Sequence, residues 1–301
     1  MSVSIIIPTC NRTTELHECL SALVPQLPSD GSATILVCDD GRDETTKSMI
    51  AKEFPVVRWN QGPRRGPATN RNFGARQADG DWLIFLDDDC NPRAGYLAAY
   101  LKQMELVGKD ARVALEGATL RTVANPSLLW EAPHNPEGGV LISCNFAMPR
   151  LLFLECGSFD ERYPAANFED TEFDIRIRIK GVKIIFLPDA VVDHPMRPLP
   201  EAIKLARRWE SRVVSTYEFG ASPGEVLLHL PRHIAMVILS RFRGRKFDRD
   251  TRKAALEFFK EFLLTLWYLP GWLRKHQSVP RSEFWTEQRR LGKNVPKRFG
   301  L

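Results

Sequence analysis

Apolar and polar positions change period in blocks along the first two-thirds of the chain. Val3–Pro8 (VSIIIP) is a short β-branched run closed by proline, the pattern of a buried strand. Thr13–Leu27 repeats apolar residues at Leu16, Cys19, Leu20, Leu23 and Val24, which is one face of a helix. Ala33–Cys38, Val56–Trp59 and Trp82–Leu86 predict three more strands, with helices between them over Glu44–Phe54 and Ala68–Ala78 and after them over residues 93–107. This alternation predicts an α/β fold with a mostly parallel, doubly wound sheet. Continuous apolar strands agree, because parallel strands are covered on both faces. Further strands are expected over Val113–Leu120, Val140–Met148 and Val182–Leu187. Residues 169–180 (EDTEFDIRIRIK) alternate like a strand at Phe173, Ile175, Ile177 and Ile179. Their leading acids and trailing bases suit a helix macrodipole, and helix is the expectation. From about residue 196 the pattern is helical.

Three predicted strands end in polar clusters: Thr9-Cys10-Asn11-Arg12, Asp39-Asp40-Gly41 and Asp87-Asp88-Asp89. Ligands of open α/β sheets bind outside the carboxyl ends of the strands. In LIFLDDDC (83–90), four apolar residues run into three carboxylates, which need a compensating cation. Carboxylates suit hard divalent ions such as Mg²⁺, which also take substrate phosphates. On an extended backbone Asp87 and Asp89 point to the same side. Asp39-Asp40-Gly41 is either a plain turn or a partner for a nucleotide. Neither G-x-G-x-x-G nor G-x-x-x-x-G-K-[ST] is present, which argues against NAD enzymes and P-loop NTPases. Glu169-Asp170, at an expected helix start, offers a general base whose pKa neighbouring acids would raise. His194, after the strand-like Ala190–Asp193, is a structural histidine or a further metal ligand.

Composition adds an asymmetry. The net charge of +5 divides into 20 Lys+Arg against 27 Asp+Glu over residues 1–195, and 22 against 10 over residues 196–301. An acidic body, 1–195, followed by a basic helical region, 196–301, is the domain organisation expected. All six cysteines lie in the acidic part without a C-x-x-C pair, so reduced, buried thiols in a cytoplasmic protein are expected. The first residues lack a signal-peptide pattern, and no apolar stretch is long enough for a transmembrane helix.

The order of motifs resembles the family 2 glycosyltransferases, which have the GT-A fold. The matching segments are SIIIPTCNR (4–12), VCDDGRDET (37–45), GPRRGPATNRNFGARQADGDWLIFLDDD (62–89), CNFAMPR (144–150), GSFDERY (157–163), EDTEFDIRIRIKG (169–181) and PDAVVDH (188–194). The resemblance implies sugar transfer from a nucleotide diphosphate donor with inversion, supported by Mn²⁺ or Mg²⁺. It implies that Asp40 meets the base, with Asp39 beside it. Pro8, Thr9, Cys10, Asn11, Arg12, Gly66, Arg71, Asp87 and Asp88 fall to the donor side. Asp87 and Asp89 match the D-x-D pair, Asp89 as the direct metal ligand, and His194 matches a histidine that joins the metal shell in some members. Asp170 matches the catalytic base, with Glu169 beside it, and Arg176 matches the arginine of the following helix. Asn145 falls in a loop bordering donor sugar and acceptor. Cys10 stands where many members carry Tyr or Phe, a smaller contact for a base. A UDP-sugar is the donor expected, with a dTDP-sugar second.

The basic region adds two features. Arg207-Arg208-Trp209 resembles Q-x-x-R-W without its Gln, which argues against processive polymer synthesis but leaves Arg208 and Trp209 as acceptor-side candidates. Residues 251–275 hold Leu256, Phe259, Leu263, Leu266 and Trp267 at helical spacing. They form either a helix packed on the body or an amphipathic helix at an anionic membrane surface, with Arg241, Arg243, Arg245 and Lys246 upstream. A peripheral position at the inner face of a membrane would suit a hydroxyl acceptor that is a lipid-linked sugar or polysaccharide precursor. A nucleic-acid partner is not expected, since no recognised module is present. The alternative from another class is a catalytically silent, glycosyltransferase-like binding protein or scaffold.

Overall fold

The computed structural model describes residues 1–163, 167–277 and 283–290. Strands run β1 (Val3–Thr9), β2 (Ala33–Asp39), β3 (Arg58–Gln61), β4 (Trp82–Leu86), β5 (Asn91–Pro92), β6 (Val113–Arg121), β7 (Trp130–Glu131), β8 (Asn145–Pro149), β9 (Lys183–His194) and β10 (Arg197–Pro198). Helices run α1 (Thr13–Leu23), α2 (Thr45–Glu53), α3 (Pro67–Gln77), α4 (Tyr96–Val107), α5 (Arg150–Glu155), α6 (Glu169–Ile179), α7 (Ala202–Glu218), α8 (Pro223–Arg241), α9 (Arg249–Gln277) and α10 (Glu283–Arg290). The chain divides into two compact units. The first holds Met1–Ala124, Ala132–Glu161 and Glu169–Met196. The second holds Asn125–Glu131, Arg162–Phe168 and the chain from Arg197 on.

The first unit is built on one sheet, in the order β3-β2-β1-β4-β8-β6-β9-β5. β1 pairs in parallel with β2 and β4, and β2 with β3. β8 runs antiparallel between β4 and β6, and β6 pairs in parallel with β9 across a register shift at Gly117/Ala118. The side-chain period of two sends Ile5, Ile7, Ile35, Val37 and Ile84 to one core with α1 and α4. Ile6, Leu36, Leu83 and Phe85 go to the other, with α3 and α6. Both faces are therefore covered, which is why these strands read as unbroken apolar runs.

Several sequence-predicted boundaries shift. α1 stops at Leu23, and a single 3-10 turn, Val24–Gln26, follows because Pro25 cannot donate the next helical hydrogen bond. The third strand starts at Arg58, and β8 covers only Asn145–Pro149 of the expected Val140–Met148. β9 runs on through Pro188 to His194, where two shorter strands were expected. The alternating segment after Glu169 is helix α6. Glu172–Arg176 (2.8 Å) and Asp174–Arg178 (2.7 Å) pair at i,i+4, a spacing only a helix brings together. Phe173 enters an aromatic cluster with Phe85, Phe146, Phe153 and Phe159, at centroid separations such as 4.9 Å to Phe159 and 6.1 Å to Phe146. Each such pair contributes about 0.5–1.5 kcal/mol beyond burial. The cluster fixes the N-terminus of α6 relative to the end of β4.

The second unit is helical. α8 starts with a capping box between Ser222 and Glu225. Val213 and Tyr217 of α7 pack with Val226, Leu230 and Ile234 of α8 and Leu269, Trp272 and Leu273 of α9. Leu128, Leu129 and Leu199 pack on Leu205, Ala254 and Phe258, and β7 pairs antiparallel with β10.

Candidate active site

The register of the first unit brings its polar strand ends together. Thr9 ends β1 opposite Asp39 of β2, and Asp87–Asp89 follow β4, the other neighbour of β1. The triplet is not extended. Cys90 N–H donates to the Asp87 carbonyl at 3.1 Å and closes a turn, so the backbone leaves the extended conformation. This corrects the expectation of an extended backbone through Asp87 and Asp89. Asp87 accepts from Arg71 Nη2 at 2.5 Å. Asp88 is buried and accepts from Thr9 Oγ1 at 2.8 Å and Arg12 Nη1 at 3.0 Å. Burial raises its pKa. Asp89 is buried too, with Arg12 Nη1 at 3.5 Å and His194 Nε2 at 3.5 Å.

Two arginines thus lie among the three acids, and Arg71 links them to the acidic pair. Its guanidinium, buried on α3, reaches Glu169 Oε1 at 3.4 Å as well as Asp87. Those two charges hold its pKa above the usual arginine value despite burial. Glu169 is buried, and its Oε2 has no hydrogen-bond partner among the described residues. Desolvation, reinforced by Asp170, pushes its pKa up. Asp170 is partly exposed and accepts from Thr171 N at 2.7 Å and Ser143 N at 3.4 Å. Burial still outweighs those donors and raises its pKa. A partly accessible carboxylate with a raised pKa can accept a proton.

At the second strand end the two acids separate in role. Asp39 is buried and accepts from Gly41 N at 2.7 Å and Trp59 Nε1 at 3.3 Å, which fixes the turn. Asp40 is partly exposed and accepts from Arg64 N at 2.8 Å and Gly66 N at 3.3 Å. Burial raises its pKa. Gly66 has φ +94° and leads into Pro67 at the start of α3, so its backbone conformation excludes most side chains. Pro8 is buried in β1, while Cys10 and Asn11 are exposed beyond it. The expectation of six buried thiols is corrected at Cys10, because β1 ends one residue earlier; the other five are buried and all six are free.

Two predicted residues serve the scaffold. Asn145 is 1% exposed. It accepts from Tyr100 Oη at 2.9 Å and donates to the carbonyls of Ala118 (2.9 Å) and Ala190 (3.1 Å), so it ties β8 to β6 and β9 and faces no solvent. Arg176 is buried on Glu172 and the carbonyls of Cys156 and Ser158. Arg208 and Trp209 lie in the second unit. Arg208 is paired with Glu131 at 2.6 Å, and Trp209 Nε1 donates to Glu261 at 2.7 Å.

Asp89, Cys90 and His194 place ligand atoms within 4.8 Å of one another. The Nδ1 of His194 lies 3.0 Å from the Pro195 carbonyl, a contact in which Nδ1 donates, and its Nε2 is turned towards Asp89. Carboxylate and imidazole fit a Mn²⁺-type cation. Cys90 escapes sequence reasoning, although its place beside the triplet is a signal. A hydrogen bond to Cys144 and desolvation raise its thiol pKa far above the ordinary value, so it is a poor ligand for a hard ion.

Residues 4–114 match the family model described as Glycosyl transferase family 2. Glycosyltransferase AglE of Haloferax volcanii is 25% identical over 305 residues, spanning 98% of this chain and 88% of that protein. A GalNAc(5)-diNAcBac-PP-undecaprenol beta-1,3-glucosyltransferase of Campylobacter jejuni is 32% identical over 106 residues, 34% of each chain. The crystal structure of GalNAc-T7 with UDP, GalNAc and Mn²⁺ superposes with a TM-score of 0.57 at 17% identity, over 93% of this chain and 58% of that one. Residues 4–114 are thus similar to glycosyl transferase family 2, and the chain carries the GT-A fold.

Proposed function

We propose that this protein is an inverting glycosyltransferase that moves a sugar from a nucleotide diphosphate sugar, a UDP-sugar before a dTDP-sugar, to an acceptor hydroxyl. The observation that carries the reading is Asp170. It is partly accessible, has a raised pKa, and stands beside Glu169, which Arg71 connects to Asp87 at the end of β4. Asp170 takes the proton of the acceptor hydroxyl. The hydroxyl oxygen then forms a bond to the anomeric carbon, and the bond from that carbon to the diphosphate breaks. The electron pair leaves with the nucleoside diphosphate, and attack from the opposite face inverts the configuration. Asp40 meets the base, and Thr9, Arg12 and Asp88 hold the strand end that faces the donor. Asp89 and His194, with Asp87 nearby, would hold Mn²⁺ or Mg²⁺, which neutralises charge growing on the leaving diphosphate when bound. The likeness to an undecaprenol-linked glucosyltransferase supports a lipid-linked sugar or polysaccharide precursor as acceptor.

The test is nucleoside diphosphate release by the full chain across a donor panel with Mn²⁺ or Mg²⁺. Asp170→Asn should keep donor binding in calorimetry and lose transfer by about 10²–10⁴-fold, the range of a general base. Near-normal turnover in that variant would put the base elsewhere. Asp89→Ala should abolish metal-dependent donor binding, and unchanged binding would sink the metal assignment. Release with no donor on the panel would favour the silent binding protein.

A further inference from the structure

Helix α9 has two apolar faces. Ala254, Phe258, Leu269, Trp272 and Leu273 are buried in the cores of the second unit. Leu256, Phe259, Leu263, Leu266 and Trp267 point the other way and are exposed, Phe259 by 59% and Trp267 by 82%. With 3.6 residues per turn these five fall within about 100° of arc, and at 1.5 Å per residue the stripe is about 16 Å long. Single exposed apolar side chains are ordinary, but a continuous stripe with two aromatic rings marks a contact surface.

The exposed charges on α9 have one sign; Asp248, in the turn before it, is also exposed and accepts from Thr251 N at 2.8 Å. Arg252, Lys253, Lys260 and Arg274 are exposed on the same helix. Its carboxylates are withdrawn. Glu261 is buried beneath Trp209 and Arg241, Asp250 accepts from Ser127 Oγ at 2.9 Å, and Glu257 accepts from Lys260 at 2.7 Å. The turn before α9 adds exposed Arg243, Lys246 and Phe247. Arg241 and Arg245 belong less to this surface. Arg241 stacks on Phe258 at 4.5 Å, and Arg245 donates to the Pro126 carbonyl at 2.7 Å. Among the described residues no helix is long and apolar enough to cross a membrane.

We propose that this face of α9 docks on an anionic phospholipid bilayer. The helix lies in the plane of the surface, Phe259 and Trp267 enter the headgroup–acyl boundary, and Arg243, Lys246, Arg252 and Lys253 meet the lipid phosphates. A second copy of this chain is the poorer occupant. Two-fold pairing through the stripe would set one basic rim against another with no exposed α9 carboxylate to receive it. This inference is independent of the proposed reaction, because no residue of the stripe belongs to the candidate active site.

The full chain is sedimented with vesicles of phosphatidylcholine alone and of phosphatidylcholine mixed with phosphatidylglycerol. Binding is expected to the mixed vesicles, weakened by salt as surface charge is screened. Phe259→Ser with Trp267→Ser should weaken it by roughly tenfold or more, since two inserted rings are lost. Arg252→Gln with Lys253→Gln should flatten its salt dependence. All four side chains are exposed, and an unchanged circular dichroism spectrum verifies the fold of each variant. The proposal fails if the chain ignores anionic vesicles at low salt, or if binding survives both double variants. It also fails if light scattering shows a dimer that the serine variant dissociates while no vesicle binding occurs.

Discussion

Arg71 is buried between Asp87 and Glu169 and pairs with both. Arg71→Met would leave both acids without it. Breaking a buried pair from one side costs about 3–5 kcal/mol, and urea denaturation should show a loss of that size. Glu169 supplies a pH signature. Its folded pKa is raised above the ordinary value by burial, so the folded state keeps a proton that the unfolded chain has released. Stability present below the ordinary pKa is then lost as pH rises through the raised one. Glu169→Gln removes that titration. Between about pH 5 and about pH 8 the wild type should lose more stability than the variant in urea melts, and parallel losses would refute the raised pKa. In the proposed mechanism Asp170 governs activity instead. It must be ionised to act as a base, so transfer should fall on acidification through a midpoint above the ordinary aspartate value of about 3.9. A pH–rate profile measures this. Asp170 and Glu169 were legible from their adjacency in the sequence. That one is accessible and the other sealed was not, because it depends on Arg71, 98 residues away from Glu169 along the chain.

Among the elements, α3 shows how closely the site's scaffold is packed. A Cβ on Gly74 would lie 2.5 Å from Ile6 Cγ2 and 2.9 Å from Cys38 Sγ, so the helix sits directly on β1 and β2. Gly74→Ala should cost about 1–3 kcal/mol through overpacking, seen as a lower denaturation midpoint with little change in slope. The opposite result, a stabilised variant, would mean that the helix can move off the strands. The same closeness lets Asn70 reach the Cys38 carbonyl at 2.7 Å and carries Arg71 to the strand ends. Periodicity located α3 within a residue, and the leading acids and trailing bases, against a strand-like alternation, located α6. It misjudged the backbone after β4, where a turn replaces an extended D-x-D. Three adjacent carboxylates repel one another, and the turn gives each a partner: Arg71 for Asp87, Thr9 and Arg12 for Asp88, and Arg12 with His194 for Asp89.

For the whole molecule, the chain leaves and re-enters the first unit before residue 196. Asn125–Glu131 and Arg162–Phe168 group with the helical unit. Leu128 and Leu129 pack there against Leu205 and Phe258, and β7 pairs with β10. A fragment of residues 1–196 would strip these segments of their partners. It should therefore be less soluble and melt at a lower temperature than the full chain, as calorimetry and soluble yield would show. A fragment as stable as the full chain would contradict this account. The sequence by itself determined the strand–helix alternation, the acids at three strand ends, the resemblance to the family and the apolar spacing along α9, though not which way that stripe faces. Each of these is written in local period or adjacency. Tertiary structure decided which acids pair with Arg12 and Arg71, that Asn145 is a buried tie between strands, that Cys90 joins Asp89 and His194, and which segments cross between units. Those outcomes rest on contacts between residues far apart in sequence, which sheet register and burial bring together and no local pattern encodes.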